Sequence, residues 1–334
     1  MASPLVSVVL PVYNGAAYVA DAMRSVLRQQ GDGSLELIVI NDGSTDGSGE
    51  IVRRIAQGDS RVRIISRENR GFVNSLNEGI QASEGEWIAR MDADDICTRD
   101  RLMRQVAWAR EQKAEVCGGW IRTFGHTIPR IRKYPMGNDA ARLQLLFSSC
   151  FGHPSVIARR EVFARFSYDL AAEPVDDYEL WTRFSAAGVR LTNCPAVVLN
   201  YRVHQKQMTA TKRASFDEMR AKVAEKYRQL CFPSVPQLEH GYLMSRQILL
   251  NEGQVMRATI LLRSLLADTG DPEHVITDNA FLFLARHAQV GTASMKEASA
   301  GFPFGRPRRL LLQFLGALGA NQQSLAFRIL YALK

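Results

Sequence analysis

Apolar positions in the first hundred residues follow two alternating rhythms. Leu5 to Leu10 is an apolar run, broken by Ser7 alone, that predicts a buried strand. Val19, Ala22, Met23, Val26 and Leu27 then recur at helical spacing, as one face of a helix. The cycle repeats: Leu35 to Ile40 predicts a strand and Ile51, Val52 and Ile55 a helix, Val62 to Ser66 a strand and Val73, Leu76 and Ile80 a helix, and Trp87 to Met91 a fourth strand. Strand and helix in strict alternation predict a parallel sheet covered on both faces. From about residue 115 to 205 the pattern is mixed, and beyond about 212 it is helical, with a polar turn from Asp268 to Pro272 and a break at Pro303, Gly305 and Pro307.

Ligands of such sheets sit at the carboxyl ends of the strands. Every apolar run here ends in polar residues: Pro11-Val-Tyr-Asn-Gly15, Asn41-Asp-Gly-Ser44, Arg67-Glu-Asn-Arg-Gly71 and Asp92-Ala-Asp-Asp95. Carboxylates gathered on one edge repel, and a divalent cation or a donor-rich ligand relieves that repulsion. Asp92-Ala-Asp94 after a strand suits Mg²⁺ or Mn²⁺, which prefer oxygen ligands and take one or two carboxylates plus substrate phosphates. Taken singly it is weak, because Asp is common in loops and Thr98 or Asp100 would cap the helix carrying Leu102, Met103 and Val106.

Composition narrows the field. The 334 residues, with 42 Lys+Arg against 34 Asp+Glu and 46% hydrophobic, suit about two globular domains and exclude a wholly disordered chain. No apolar run approaches the ~20 residues of a bilayer span. The first run begins at Leu5 with no basic region before it, which argues against a secretory signal and for the cytoplasm. Five cysteines without a CxxC pair suit neither a disulfide framework nor a zinc cage; small buried hydrophobes in a reducing compartment are expected. A net charge of +8 without an RNA or DNA motif is a modest field and gives no case for nucleic-acid binding.

In combination, Ser7-Val-Val-Leu-Pro-Val-Tyr-Asn14, Asn41-Asp-Gly-Ser-Thr-Asp46, Asn69-x-Gly71 with Asn77-x-Gly79, and Asp92-Ala-Asp-Asp95 resemble the inverting family 2 of nucleotide-sugar glycosyltransferases. The resemblance runs over roughly residues 5 to 205 and includes His153-Pro-Ser155, Asp176-Asp-Tyr-Glu-Leu-Trp-x-Arg183 and Tyr201-Arg-x-His204. It implies an α/β GT-A fold, a Rossmann-like, mostly parallel sheet flanked by helices over residues 1–211, with a donor half to about 112 and an acceptor half from 113. An all-helical region (212–302) and a basic amphipathic tail (303–334) would follow.

The resemblance further implies that Pro11, Tyr13, Asn14, Asp42, Asn69, Asp92 and Ala93 bind the donor: Pro11 and Tyr13 as wall for the base, Asp42 as its hydrogen-bond acceptor, Asp92 at the ribose. A tyrosine face stacks on a base and a carboxylate accepts an imide N–H, which tilts the donor towards uridine diphosphate sugars. A loop aromatic for Tyr13 and an Asx-turn at Asp42 are the alternatives, and Asp46 reads best as a helix N-terminal residue. Asp94 is implied as the Mg²⁺ or Mn²⁺ ligand, joined by His204, for which a surface position is the alternative. Asp177 is implied as the general base, with Glu173 a rival and helix capping by Asp176 and Asp177 the plain alternative. Asp stands at 176 where the family has Glu, which unsettles Asp176 more than Asp177. His153, Asp176 and Trp181 are placed on the acceptor side, with Trp181 equally at home in a core.

The activity implied is transfer of one sugar from a nucleoside-diphosphate sugar to a hydroxyl of a glycan or lipid-linked acceptor. The Gln-x-x-Arg-Trp sequence and following spans of processive members are absent. The rival is a noncatalytic nucleotide-sugar-binding or scaffold protein, whereas a nicotinamide oxidoreductase would need GxGxxG after strand one. The tail carries Arg306, Arg308, Arg309, Arg328 and Lys334 with no acidic residue, and two apolar helical stripes. That pattern suits the inner face of a membrane as well as packing on the chain's own core or on a second subunit.

Overall fold

The computed structural model describes residues 4–31, 34–204, 213–244, 250–287, 292–305, 308 and 312. They divide into two compact units: Met1–Ala141 with Ser149–Met219, and Arg142–Ser148 with Arg220–Lys334.

The first unit opens with β1 (Val6–Val12), α1 (Val19–Leu27), β2 (Leu35–Asp42), α2 (Ser48–Gln57), β3 (Val62–Arg67), α3 (Phe72–Gln81) and β4 (Trp87–Arg90). These four strands are parallel, in the order β3-β2-β1-β4. β1 and β2 are buried along their whole length, which is why their sequences are mainly apolar rather than alternating; buried Ser7 and Glu36 bond each other at 2.6 Å. α1 buries Val19, Ala22, Met23 and Val26, the predicted stripe. α3 lies so close to β1 that a Cβ at Gly79 would stand 2.4 Å from Val9 Cγ1, so Gly79 of the Asn77-x-Gly79 motif is a packing residue.

The chain continues through β5 (Ile96–Cys97), α4 (Arg101–Glu111), β6 (Val116–Gly125), β7 (Ile131–Arg132), α5 (Asn138–Gln144), β8 (Ile157–Arg159), α6 (Arg160–Arg165), α7 (Asp176–Ala186) and β9 (Leu191–Val203). Here the sheet becomes mixed, running β4-β8-β6-β9-β5: β8 is antiparallel to β4 and β6, β6 and β9 are parallel, and β7 pairs with β6. Cys97, Cys117, Cys150 and Cys194 are buried and Cys231 is partly so, all as free thiols.

The second unit is helical: α8 (Arg213–Cys231), α9 (Gln237–Met244), α10 (Glu252–Thr269), α11 (Val275–Arg286) and α12 (Thr292–Ser299). It includes the short segment Arg142–Ser148, whose carbonyls at Arg142, Leu146 and Phe147 accept hydrogen bonds from Tyr227, His240 and Arg220. α10 starts with a reciprocal Asn251–Gln254 capping box and stops at Gly270, φ 65°, in the predicted turn. Among the described residues no helix is long and apolar enough to cross a membrane. Phe304 rings against Phe281 and Phe302, and Arg308 pairs with Asp278 at 2.7 Å, so the start of the basic tail lies on this unit. The rest of the tail's amphipathic pattern, apart from Leu312, is outside the described residues.

Candidate active site

The loops after β1 and β2 are tied together by the polar residues that end those strands. Asn14, φ 51°, accepts from Thr45 N–H (2.9 Å) and its own N–H donates to Ser44 Oγ (3.1 Å). Gly15 N–H donates to Ser48 Oγ and Ala16 N–H to Asp46, which also accepts from Ser48 at the start of α2. Asp46 is held below the usual carboxylate range: burial works against this, but the hydrogen bonds from Ser48 and Ala16 outweigh it. Asp46 thus joins two loops as well as facing a helix start. β1 runs two residues further than its predicted end, so Pro11 is buried within the strand while Tyr13, 56% exposed, offers its ring to solvent.

Asp42 is engaged by protein. Its carboxylate accepts from Arg67, from Arg70 N–H (2.8 Å) and from Gly71 N–H (3.0 Å), and its side chain is 5% exposed. It orders the loop after β3, where a Cβ at Gly43 would stand 2.7 Å from the amide nitrogen of exposed Asn69. Oδ2 accepts only from Gly71 N–H among the described residues, so it keeps room for one further donor. This is not an Asx-turn.

The loop after β4 carries the first acidic cluster. Asp92, Asp94 and Asp95 each offer a carboxylate oxygen within 4.8 Å of the others. Arg90, at the end of β4 and 5% exposed, forks onto both oxygens of Asp92 (2.8 and 2.5 Å). His204 Nε2 stands 2.9 Å from Asp94 Oδ2, so two residues 110 positions apart in sequence meet. His204 also rings with Tyr18 at 5.3 Å, which places it inside the loop cluster rather than on a bare surface. Asp95 is fully buried; Oδ1 accepts from Arg202 N–H at 2.8 Å and Oδ2 has no hydrogen-bond partner.

Burial first, and then the Asp94 and Asp177 charges, push Asp92 up to about 6 against the pull of Arg90. Burial followed by the charges of Asp92 and Asp94 drives Asp95 well above the ordinary range. An all-oxygen donor set with an unpartnered buried oxygen fits a hard divalent cation, whose charge would remove this repulsion. Ala93 lies under the β1 loop, 3.8 Å from where a Cβ of Gly15 would be.

The second acidic cluster opens α7. Asp176 is buried with Oδ2 unpartnered, and burial, followed by the neighbouring Asp177 charge, raises it to about 7. Asp177, partly exposed, is raised by burial but held back by Tyr178 N–H (2.7 Å) and by Arg90. The two environments leave Asp177 the more readily ionised member. Neither side chain makes the usual N-cap bond to the second or third helical amide, so capping does not account for the pair. Glu173 is exposed and close enough for its charge to raise Asp176 further.

His153 is half-buried, with Nε2 2.8 Å from Tyr168 Oη; burial, then Arg90, keeps its ring neutral far below the ordinary imidazole range. Trp181 is 0% exposed and lies against Phe151, His153, Tyr168 and Phe184. The expectation that it touches an acceptor is corrected: with no free surface it is core, supporting His153 from below. Asn77, another motif residue, bonds both the N–H and the carbonyl of Tyr168 at 3.0 Å and so positions that wall.

Arg90, Asp95 and Arg202 are missing from the residues assigned by sequence. Arg90 had a signal: a cation in a buried strand, two positions before a carboxylate, has to be paired. Arg202, bonding Asp94 carbonyl at 2.7 Å and lying over Tyr18 and Phe124, had none beyond its neighbour His204.

Residues 7–166 match the family model described as Glycosyl transferase family 2. An uncharacterized glycosyltransferase of Haemophilus influenzae is 29% identical over 239 residues, 66% of this chain and 72% of that one. The O-antigen biosynthesis glycosyltransferase WbnJ of Escherichia coli is 27% identical over 217 residues, 64% of this chain and 85% of its own length. Among solved structures, S. aureus TarS 1–349 in complex with UDP-GlcNAc superposes with TM-score 0.54 at 14% identity, over 96% of this chain and 88% of that one. The mannosyltransferase PcManGT from Pyrobaculum calidifontis, in complex with GDP-Man and Mn²⁺, gives 0.56 at 17% over 100% and 86%. At such identities the likeness to these structures is one of fold.

Proposed function

Because the chain belongs to glycosyltransferase family 2 and has the GT-A fold, we propose that it is a metal-dependent, inverting, non-processive enzyme. It moves one sugar from a nucleoside-diphosphate sugar, uridine-based in the first instance, to a hydroxyl of a glycan or lipid-linked glycan. The observation that carries this reading is that one buried cation acts on two acidic clusters: Arg90 is bonded to Asp92 of the Asp92, Asp94 and Asp95 group, and its charge also reaches Asp176 and Asp177.

In this reading the exposed ring of Tyr13 takes the base, with Pro11 fixing where it stands. Asn14, Asp42 and Asn69 set the loops that frame it, and Asp92 and Ala93 meet the ribose side. Mg²⁺ or Mn²⁺, held by Asp94 and His204, would when bound neutralise the charge of the diphosphate. Asp177 accepts the proton of the acceptor hydroxyl as that oxygen bonds to the anomeric carbon and the bond from that carbon to the diphosphate oxygen breaks; the configuration inverts. His153, neutral and fixed by Tyr168, gives the acceptor a polar contact that adds no charge beside the base. Asp176, raised to about 7 and so still partly protonated near neutrality, lessens the second negative charge beside Asp177.

Thermal melts with UDP, GDP and dTDP, each with and without Mn²⁺, test the donor half. A ligand bound only by the folded chain at ~100 times its Kd adds about 2.7 kcal/mol. Stabilisation by one diphosphate that requires Mn²⁺ is the expected result, and unchanged melting across the whole panel overturns the reading.

A further inference from the structure

The β6–β7 hairpin is chemically unlike the rest of the surface. From Val116 to Asn138 it holds Arg122, Arg130, Arg132 and Lys133, with His126, and no acidic residue at all. Arg122, Arg132 and Lys133 are exposed, and among the described residues none of them meets a carboxylate. Several arginines elsewhere are paired: Arg61, Arg63, Arg67, Arg90 and Arg159 each have an acidic partner. The hairpin cations lie on rings instead, Lys133 over Trp120 at 4.9 Å and Arg132 over Tyr201 at 5.9 Å. Beside them the apolar tip is open to solvent, with Ile128 72% and Ile131 40% exposed.

The turn is built to hold that tip out. Thr123 N–H donates to Arg130 carbonyl (2.8 Å) and Arg130 N–H to Thr123 Oγ1 (3.0 Å), closing the loop across its base. Gly125, φ +90°, turns where a Cβ would lie 2.7 Å from Val203 carbonyl, and His126 N–H donates to that same carbonyl at 2.8 Å. Val203 stands between Arg202, whose N–H binds Asp95, and His204, beside Asp94. The hairpin is therefore pinned at the rim of the acidic edge.

We propose that this hairpin is the face with which the protein rests on an anionic lipid bilayer, Ile128 entering the headgroup boundary and Arg122, Arg132 and Lys133 meeting lipid phosphates. A fixed apolar tip flanked by uncompensated cations is disfavoured in water and favoured at such an interface. Single-stranded nucleic acid would call for aromatic stacking at the tip, where Ile128 and Pro129 stand instead. A membrane at this rim would present a lipid-borne hydroxyl to the site proposed above, but the test needs no turnover, so it stands or fails separately from that reading.

The full chain is floated with phosphatidylcholine vesicles and with vesicles carrying roughly one-third phosphatidylglycerol. Recovery is expected with the anionic vesicles only, and weaker at high salt. At roughly fivefold per cation, the combined variant Arg122→Gln, Arg132→Gln, Lys133→Gln loses about 100-fold in partitioning. Ile128→Ser, a change at an exposed tip that leaves the core untouched, loses roughly tenfold and carries the test alone if the combined variant melts early. Equal recovery of parent and variants, equal binding to neutral vesicles, or no flotation of the parent overturns the proposal. So does an unchanged flotation in variants that lose turnover only on a soluble phosphate-bearing acceptor, because the cations would then serve the acceptor itself.

Discussion

The two acidic clusters are held in opposite ways. Asp92, Asp94 and Asp95 each meet a protein group, a bidentate guanidinium, an imidazole and a backbone N–H, though Asp95 keeps one buried oxygen unpartnered. Among the described residues, Asp176 and Asp177 together accept one hydrogen bond from outside the pair, from Tyr178 N–H, and one buried oxygen of Asp176 is unpartnered. Fixed carboxylates gathered at 4.8 Å are suited to holding a charge in place. Loosely satisfied, buried carboxylates are suited to exchanging a proton. The difference is consistent with the proposed division between a cation-holding cluster and a base.

The largest effect is expected at the proton-exchanging cluster. Asp177→Asn keeps shape and removes basicity, and turnover should fall by about 10²–10⁴. Nucleotide affinity, measured by calorimetry with Mn²⁺, should stay within about twofold. Loss of both together would give Asp177 a ligand-holding role and dissolve the distinction between the clusters.

Arg90 faces both clusters, so its removal should damage the fold as well as the site. Arg90→Gln leaves Asp92 without its counter-ion and should lower unfolding free energy by about 3 kcal/mol, read by urea denaturation. A loss below about 0.5 kcal/mol would mean that Asp92 is solvated well enough to stand alone.

How much of this was legible in the sequence depends on range. β1 to β4 were readable because each is a buried run ending in polar residues, and parallel order follows from the alternation with helices. β5 and β8, with two and three residues, carry no periodicity, and their antiparallel pairing to β9 and β4 rests on tertiary contacts. The meeting of His204 with Asp94 was implied only by the family pattern, since nothing local links positions 110 apart. The partners of Asp42 were out of reach for a related reason: Arg67, Arg70 and Gly71 belong to a different strand end, and their demand on it appears only once the loops are folded. Trp181 illustrates the limit for aromatics, because one helical position does not tell a ring on a wall from the ring behind it.

At the gripping cluster the effect should be intermediate. Asp94→Asn removes the carboxylate that His204 meets, and the Mn²⁺-dependent part of nucleotide affinity should fall about 10–100-fold. EDTA treatment of the unaltered chain should remove the same increment and add nothing to the variant. If EDTA still weakens binding in Asp94→Asn by the full amount, the cation is held elsewhere.

Asp176 offers the finest test, because its sign runs against intuition. Its carboxyl sits at about 7 in the folded chain, against roughly 3.9 when unfolded. Between those limits the folded state binds more protons than the unfolded one, so this group's contribution is fully present below about pH 4 and is lost as pH rises through about 7. Turnover moves the other way with pH, climbing as Asp177, itself raised by burial, loses its proton. Asp176→Asn removes the titration without removing volume. Urea denaturation should find parent and variant alike near pH 4, and the variant more stable by about 4 kcal/mol at pH 8. A constant difference across that range would mean that Asp176 keeps its charge when folded, and the contrast between a gripping cluster and a proton-exchanging one would then rest on Asp177 alone.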